Sequence, residues 1–231
     1  MVTFLSLDIK GLVVALFFGL LIFVFGQGLQ YGLGSWGAFF LVTLVYFLIL
    51  SYIVTRIGGR TKTKLGLYEG ERGWRNVVAN GIVPLIFAFI FMLNSSTNYG
   101  SFLPQTAVIA AYVASVAAVT ADKFASELGV LGEAPIMLLT LKKTERGASG
   151  GVSLFGLLMS AFAAFLISFV LLVFHVKVIS VAAVTFAGFS GSLVDSVLGY
   201  YEGQGIGNKY TSNIACALSG ALIALVLFAV L

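Results

Sequence analysis

Three acidic residues stand where acids are costly. Asp122 and Glu127 follow an uncharged apolar run over 106–119, with Lys123 and Ser126 between them, and Asp195 lies inside a second apolar run over 178–199. A carboxylate at the end of a membrane-length stretch, or within it, must meet water, a cation or a partner. If a helix continues through 120–129, Asp122 and Ser126 share a face four residues apart, and Glu127 lies about 100° further round. Lys123 and Glu127 are also four apart. A helix end that reaches water and closes an ordinary ion pair therefore explains that pair equally well. Gly191, Asp195 and Gly199 recur at steps of four. Such a stripe lets a neighbouring helix pack closely while it delivers one carboxylate to the contact. Helix packing accounts for the glycines but not for the acid. The expectation is that Asp122 and Asp195 meet at one mouth, where two carboxylates repel unless a cation lies between them. Glu127 is either a third ligand or the partner of Lys123.

A second group of residues suits anions. Arg72, Asn76 and Asn80 form a polar stripe entering an apolar span. Anchoring at the headgroup level explains Trp74 and Arg75 beside them. It does not explain Asn80, which sits a turn inside and needs a partner. The stretch 144–153 carries Ser149, Gly150 and Gly151 just before another apolar run. Small residues at a helix start let a phosphate approach backbone N–H groups. A flexible loop capped by Ser149 is the plainer reading. Thr211-Ser212-Asn213 reads as a capping cluster opening the last span, and the glycine-rich 203–209 as a flexible loop. His175, the single histidine, reads as a polar tip at the far interface. Asn94-Ser95-Ser96 matches a glycosylation tripeptide, which is common by chance.

The elements that must position these groups follow from composition. Of 231 residues, 60% are hydrophobic and only 10% charged, where a soluble domain carries about a quarter. Mean hydropathy is +1.07. The chain reads as an all-α, polytopic membrane bundle forming a single integral membrane domain over 1–231. Seven spans are expected, near 11–26, 36–55, 77–93, 104–121, 151–174, 178–199 and 213–231, each close to the ~20 residues that cross a bilayer. Asp8 and Lys10 precede the first, and no small-residue cleavage pattern follows it, so it reads as a retained helix. Of the 13 Lys and Arg, all but Lys177 fall on one side of this threading. Positive residues stay inside, which predicts a cytoplasmic N-terminus. The net charge of +4 thus reflects loop asymmetry and implies no nucleic-acid partner. One cysteine, Cys216, excludes an intrachain disulfide and a cysteine metal cluster. On this threading the third, fifth and seventh spans start at the cytoplasmic mouth, where helix N-termini suit phosphate. The acids lie at the ends of the fourth and sixth.

The ordered motifs Arg72…Asn76-Val77…Asn80-Gly81, Thr120-Ala121-Asp122…Ala125-Ser126-Glu127-Leu128-Gly129, Gly147 to Ser153 and Gly191 to Gly199 resemble one family from about Arg72 onward. It is the integral membrane family of transmembrane protein 19 and the plant phytyl phosphate kinase, also called domain of unknown function 92. The resemblance implies a multi-span helical protein. For the plant branch it implies phosphorylation of a prenyl monophosphate to the diphosphate by a nucleoside triphosphate such as CTP. It also implies a distant likeness to dolichol kinases and CDP-diacylglycerol synthases, which use CTP and magnesium. This chain departs from the family pattern at Lys123, usually Thr, at Asn76, usually Gln, at Ala148, usually Thr, and at Cys216, where Asn is common.

The expected function is a membrane-embedded transfer of phosphate to a prenyl monophosphate, with CTP favoured and Mg²⁺ as cofactor. Asp122, Glu127 and Asp195 would hold the metal. Arg72, Asn76, Asn80, Lys123, Ser126, Ser149, Gly150, Gly151, Ser192 and Asn213 would hold phosphates and substrate. The partners are then a membrane lipid and a nucleoside triphosphate, in a prokaryotic plasma membrane with the site facing the cytoplasm. Two alternatives stand beside this. A lipid or small-molecule transporter or flippase fits glycine-rich spans with polar interiors, but it would want polar residues at both mouths. A cytidylyltransferase making a CDP-lipid fits the same residues as the kinase.

Overall fold

A computed structural model describes residues 7–27, 36–68, 70, 72–96, 102–173 and 178–230. His175 and Lys177 lie outside the described residues. Among the described residues the chain is helical, with one two-stranded ribbon. In order it forms α1 (Ile9–Gln27), α2 (Trp36–Arg56), α3 (Gly59–Lys64), α4 (Trp74–Ser96) and α5 (Gln105–Gly129). Then follow β1 (Ile136–Met137), β2 (Gly151–Val152), α6 (Leu154–Ser168), α7 (Val170–Val173), α8 (Val178–Glu202) and α9 (Lys209–Val230). Among the described residues, seven segments are long and apolar enough to cross a membrane, with α6 and α7 together making the fifth.

Helix α5 is the post around which the others stand, packing against α2, α4, α6, α8 and α9. Its sequence explains this. Alanine, serine and valine recur on every face of 107–119, so five neighbours can come near without colliding with long side chains. Every residue from Ala107 to Ala121 is buried, as expected of a helix that is apolar all round. Gly188 and Gly191 of α8 and Gly220 of α9 complete the seam. A Cβ on Gly188 would lie 2.7 Å from Ala117 Cβ, one on Gly191 2.6 Å from the Cys216 carbonyl oxygen, and one on Gly220 2.9 Å from the Ala114 carbonyl. Tyr112 ties the post to α2 by donating its hydroxyl to the Phe40 carbonyl at 2.7 Å. By contrast, α1 turns Val13, Leu16, Phe17 and Leu20 outward, toward the lipid.

Several boundaries differ from the sequence reading. The fourth span runs two turns past Ala121, so Asp122, Lys123, Ser126 and Glu127 are all helical. Trp74, Arg75 and Asn76 belong to α4. The fifth span starts at Leu154, not at Gly151, because Ser153 is its N-cap and accepts a bond from the Gly156 N–H at 3.1 Å. Residues 151–152 pair instead with 136–137. In α9 the cap is Asn208, whose Oδ1 accepts from the N–H groups of Tyr210 and Thr211 at 3.0 and 3.2 Å. Thr211 completes that cap, its Oγ1 accepting the Asn208 N–H at 3.0 Å, while Ser212 and Asn213 follow it inside the first turns. Asn94 is buried, with both side-chain polar atoms bonded to the Leu103 backbone at 2.9 and 3.0 Å. Its amide is committed to the α4–α5 corner, not available to a glycan.

Candidate functional site

Chain threading brings the ends of α2, α5 and α8 and the starts of α4, α6 and α9 to one end of the bundle. The connecting segments 57–73, 130–153 and 203–208 cover that end. A polar cleft of about 470 Å³ opens there. It is bounded by Arg72, Asp122, Ser126, Glu127, Ser192 and Asp195, and on its loop side by Ser149, Gly150 and Gly151. The other expected residues, Asn76, Asn80, Lys123 and Asn213, line an adjoining, narrower cavity of about 70 Å³. Arg72 and Asp122 face both. The thirteen residues expected from sequence thus divide between two cavities that share a wall.

Asp122 and Asp195 meet. Their side chains come within hydrogen-bonding reach of each other across the α5–α8 contact, and the Ser212 hydroxyl of α9 reaches Asp195. Arg72, Lys123 and Lys209 supply positive charge to Asp122. Asp195 Oδ1 is buried and has no hydrogen-bond partner among the described residues. A buried carboxyl oxygen with nothing to accept from is costly, and a proton shared with Asp122, a cation or a ligand donor would each relieve it. Among the described residues no three His, Cys, Asp or Glu side chains gather as a metal cage. Two facing carboxylates suit Mg²⁺, which takes one or two from the protein and completes its shell with water and phosphate oxygens.

Glu127 is arranged differently. Its Oε2 accepts from Lys62 Nζ at 2.7 Å, and its Oε1 accepts from Thr55 Oγ1 at 3.1 Å, from Arg72 Nη2 at 3.3 Å and from Lys123 Nζ. Three cations and a hydroxyl surround one carboxylate that is 6% exposed. The ion pair with Lys123 is therefore present, as one part of a larger cluster. The other expectation for Glu127, a metal ligand, would require an ion to displace donors from a site that is already cation-rich.

Lys62 was not found by sequence reasoning. It is the one residue of α3 turned inward, 1% exposed, and its ammonium also donates to the Thr55 and Val54 carbonyls at 2.7 and 3.2 Å. Those carbonyls end α2, so Lys62 caps that helix as well as pairing with Glu127. A usable signal was present: a short basic segment directly after a span, where a lysine can reach back to the last turn. Lys209 and Ser212 are also absent from the expected site, because the last span reads from 213 while its helix starts four residues earlier, at Lys209.

The glycine-rich 147–151 stretch lines the cleft, but close packing accounts for its glycines. Gly150 has φ +78°, and a Cβ there would lie 2.5 Å from Tyr200 N and 2.7 Å from the Ser196 carbonyl oxygen. This loop rests directly on the α8 backbone at Gly199. A side chain at Gly150 would therefore disturb packing before it met any ligand. Ser149 donates to Glu202 Oε2 at 2.8 Å. The α6 N-terminus already holds an anion, since Glu133 Oε1 accepts the Leu154 N–H at 2.6 Å. Backbone N–H groups, its own and that of Leu154, hold the Glu133 carboxyl below the usual glutamate range. The helix start expected to receive phosphate thus carries an internal carboxylate.

On the second cavity, Asn213 Nδ2 donates to Asn80 Oδ1 at 3.0 Å and Asn80 Nδ2 to Asn76 Oδ1 at 2.9 Å. This ladder gives Asn80 the partner its position demanded. It stitches α9 to α4 beside the acids.

Comparison with known proteins agrees with the architecture. Over 196 residues the chain is 32% identical to the "Uncharacterized membrane protein MJ0933" of Methanocaldococcus jannaschii, covering 83% of this chain and 77% of that protein. Over 215 residues it is 28% identical to "Protein PGR" of Arabidopsis thaliana, covering 84% and 71%. No solved structure matches it. Residues 1–215 match the family described as Integral membrane protein DUF92, so the likeness seen from Arg72 onward reaches the first helix as well. With its seven apolar helices, the chain is an integral membrane protein and belongs to the DUF92 family.

Proposed function

We propose that this protein transfers a phosphoryl group from a nucleoside triphosphate, CTP favoured, to a prenyl monophosphate at the membrane surface. The observation that carries the reading is the meeting of Asp122 and Asp195, with one Asp195 oxygen buried and without a partner among the described residues, at a point where Asp122 faces both a polar cleft and a narrower cavity. A lipid phosphate and a nucleotide would meet at such a point. A terminal oxygen of the prenyl phosphate attacks the γ-phosphorus. The bond from that phosphorus to the β-bridging oxygen breaks, and the nucleoside diphosphate leaves with the electron pair. Such transfer needs positioning and charge neutralisation more than covalent help. Asp122 and Asp195 would hold Mg²⁺, which when bound neutralises charge on the phosphates. Arg72 and Lys209 place positive charge near the same point, and Ser126 and Ser192 line the cleft beside it. Glu127 serves by position: held by Lys62, it fixes Arg72 and Lys123, whose charge bears on Asp122. The N-terminus would lie in the cytoplasm, by the distribution of basic residues.

The test is an assay of purified protein with CTP, ATP or GTP and geranylgeranyl or phytyl phosphate, with and without Mg²⁺. The expected products are prenyl diphosphate and nucleoside diphosphate, and Asp195→Asn should abolish them while the protein stays folded. A CDP-lipid with released pyrophosphate would make the protein a cytidylyltransferase instead. No turnover with any pair, together with vesicle transport of the lipid, would refute the reading in favour of a carrier.

A further inference from the structure

Between α5 and α6, apart from the carboxylates, the segment 136–144 turns apolar side chains outward. Ile136, Leu139 and Leu141 are 37%, 44% and 71% exposed. The only charges in the segment are Lys142 and Lys143, both exposed. Leu141 is also strained. Its φ is +54°, in the left-handed region where glycine or asparagine is the ordinary choice. Three backbone bonds clamp the turn. The Met137 carbonyl accepts the Thr140 and Leu141 N–H groups at 3.3 and 2.8 Å, and the Met137 N–H donates to the Lys142 carbonyl at 2.8 Å. Glycine would serve this turn better, so the leucine answers to something outside it.

The place of the turn says what that is. Ile136 of β1 stands opposite Val152 of β2, two residues before Leu154, where the fifth span begins. That span has 19 residues, about 29 Å at ~1.5 Å per residue, which matches the ~30 Å of hydrocarbon. Leu154, Leu158, Phe162 and Phe165 form its exposed, lipid-facing stripe. Leu154 therefore stands at the edge of the hydrocarbon. Two residues of strand advance about 7 Å, and the headgroup layer is about 5–8 Å deep. Ile136 thus falls at headgroup level, with the turn three residues beyond. A Cβ on Gly132 would lie 2.9 Å from Phe155 Cβ, so the chain entering the hairpin is held against the first turn of α6. The hairpin faces away from the polar cleft: Pro135 and residues 146–153 line that cleft, whereas 136–145 do not.

We propose that the hairpin 136–144 docks on the membrane surface at the cleft end of the bundle and binds anionic lipid headgroups there. Leu139 and Leu141 enter the boundary between headgroups and acyl chains, and their burial offsets the left-handed backbone. Lys142 and Lys143 reach lipid phosphates on long, flexible stems. Charge complementarity selects the occupant, since apolar tips beside two lysines fit a surface that is apolar below and negative above. Of the acids nearby, Glu133 is committed to the α6 N-terminus, and Glu145 lies just past the segment. The docking is independent of phosphoryl transfer. It would steady the outer wall of the cleft, because the Leu138 N–H donates to the Gly150 carbonyl at 3.4 Å and Gly150 lines the cleft.

The experiment places a nitroxide on Leu139→Cys, Leu141→Cys, Phe162→Cys as the lipid reference or Gln204→Cys as the water reference. The parent serves as the blank for buried Cys216. Each full-length variant, with a melting temperature matching the parent, is read one copy per nanodisc. The discs are phosphatidylcholine alone or a mixture with phosphatidylserine, and collisions with oxygen against a water-soluble nickel chelate report depth. Labels at 139 and 141 should be shielded from nickel as at 162, and more so with phosphatidylserine. Lys142→Gln with Lys143→Gln should cut the ratio of shielded to exposed label in phosphatidylserine discs by about 25-fold, at about fivefold per lysine. Leu141→Gly, which the backbone accepts, should lower the shielding at 139. Labels at 139 and 141 as open to nickel as at 204 would overturn the proposal, as would shielding indifferent to phosphatidylserine. Shielding that appears only with two copies per disc, with dipolar broadening between labels, would assign the face to a second copy and overturn it too.

Discussion

Replacing Glu127 by glutamine should destabilise the fold strongly, and by an amount that can be estimated. The carboxylate is the shared acceptor of Lys62, Lys123 and Arg72, and the two lysines are 1% and 5% exposed. Glutamine keeps the shape but removes the charge, and it turns an amide N–H₂ toward ammonium donors. Breaking a buried pair by removing one partner costs about 3–5 kcal/mol, because the other charge is left uncompensated. For a chain of this length, ~1 kcal/mol moves the melting temperature by about 2–4 °C, so Glu127→Gln should melt roughly 6–20 °C lower. Scanning fluorimetry in detergent reads this directly. Lys62→Met removes one of the stranded cations, so the double variant should melt higher than the two single losses sum to. An unchanged melting temperature with lost Mg²⁺ dependence would refute the reasoning and make Glu127 a metal ligand.

Gly191→Val forces a side chain against the Cys216 carbonyl and Ala118; the expected cost is about 1–3 kcal/mol, with reduced transfer as Asp195 is moved from Asp122, both read by melting and turnover. Glu133 contributes stability above its unfolded pKa of about 4.3, and that contribution is lost as pH falls through its lower folded value. The melting difference between the parent and Glu133→Gln should therefore close on acidification below about pH 4, and a gap that widens there would refute the helix-terminus role. For topology, a cysteine replacing Asn98 should react with an impermeant thiol reagent from outside and one replacing Lys64 should not; native Cys216 is buried, and reversed labelling would overturn the cytoplasmic site.

Much of this molecule is legible in the sequence because membrane spans are set by long-range composition. Seven apolar runs give seven helices, and the acids inside them mark the place where α5 and α8 meet. The failures are local. Apolar content ends at Ala121, but α5 continues through Asp122–Glu127 because its charges are paired within the protein instead of facing water. Hydropathy cannot see that pairing. The Gly150-Gly151 stretch reads as a phosphate cradle because the same small residues serve close backbone packing, and only the α8 backbone beside Gly150 tells the two apart. Lys62 is invisible for a related reason: a basic segment after a span looks like an interfacial anchor until α3 folds back over the end of α2.

Arg72 and Asp122 each stand on the wall of both cavities. A molecule in either space therefore presses on the same guanidinium and the same carboxylate that a molecule in the other must use. Binding at the two places is then thermodynamically linked. Whatever factor one occupant applies to the affinity of the other, the second applies to the first. The sign depends on which side chain is held. An occupant that draws Arg72 away weakens its neighbour, while one that leaves Asp122 oriented strengthens it. Titrating one ligand at fixed concentrations of the other would give both factors, and they must agree.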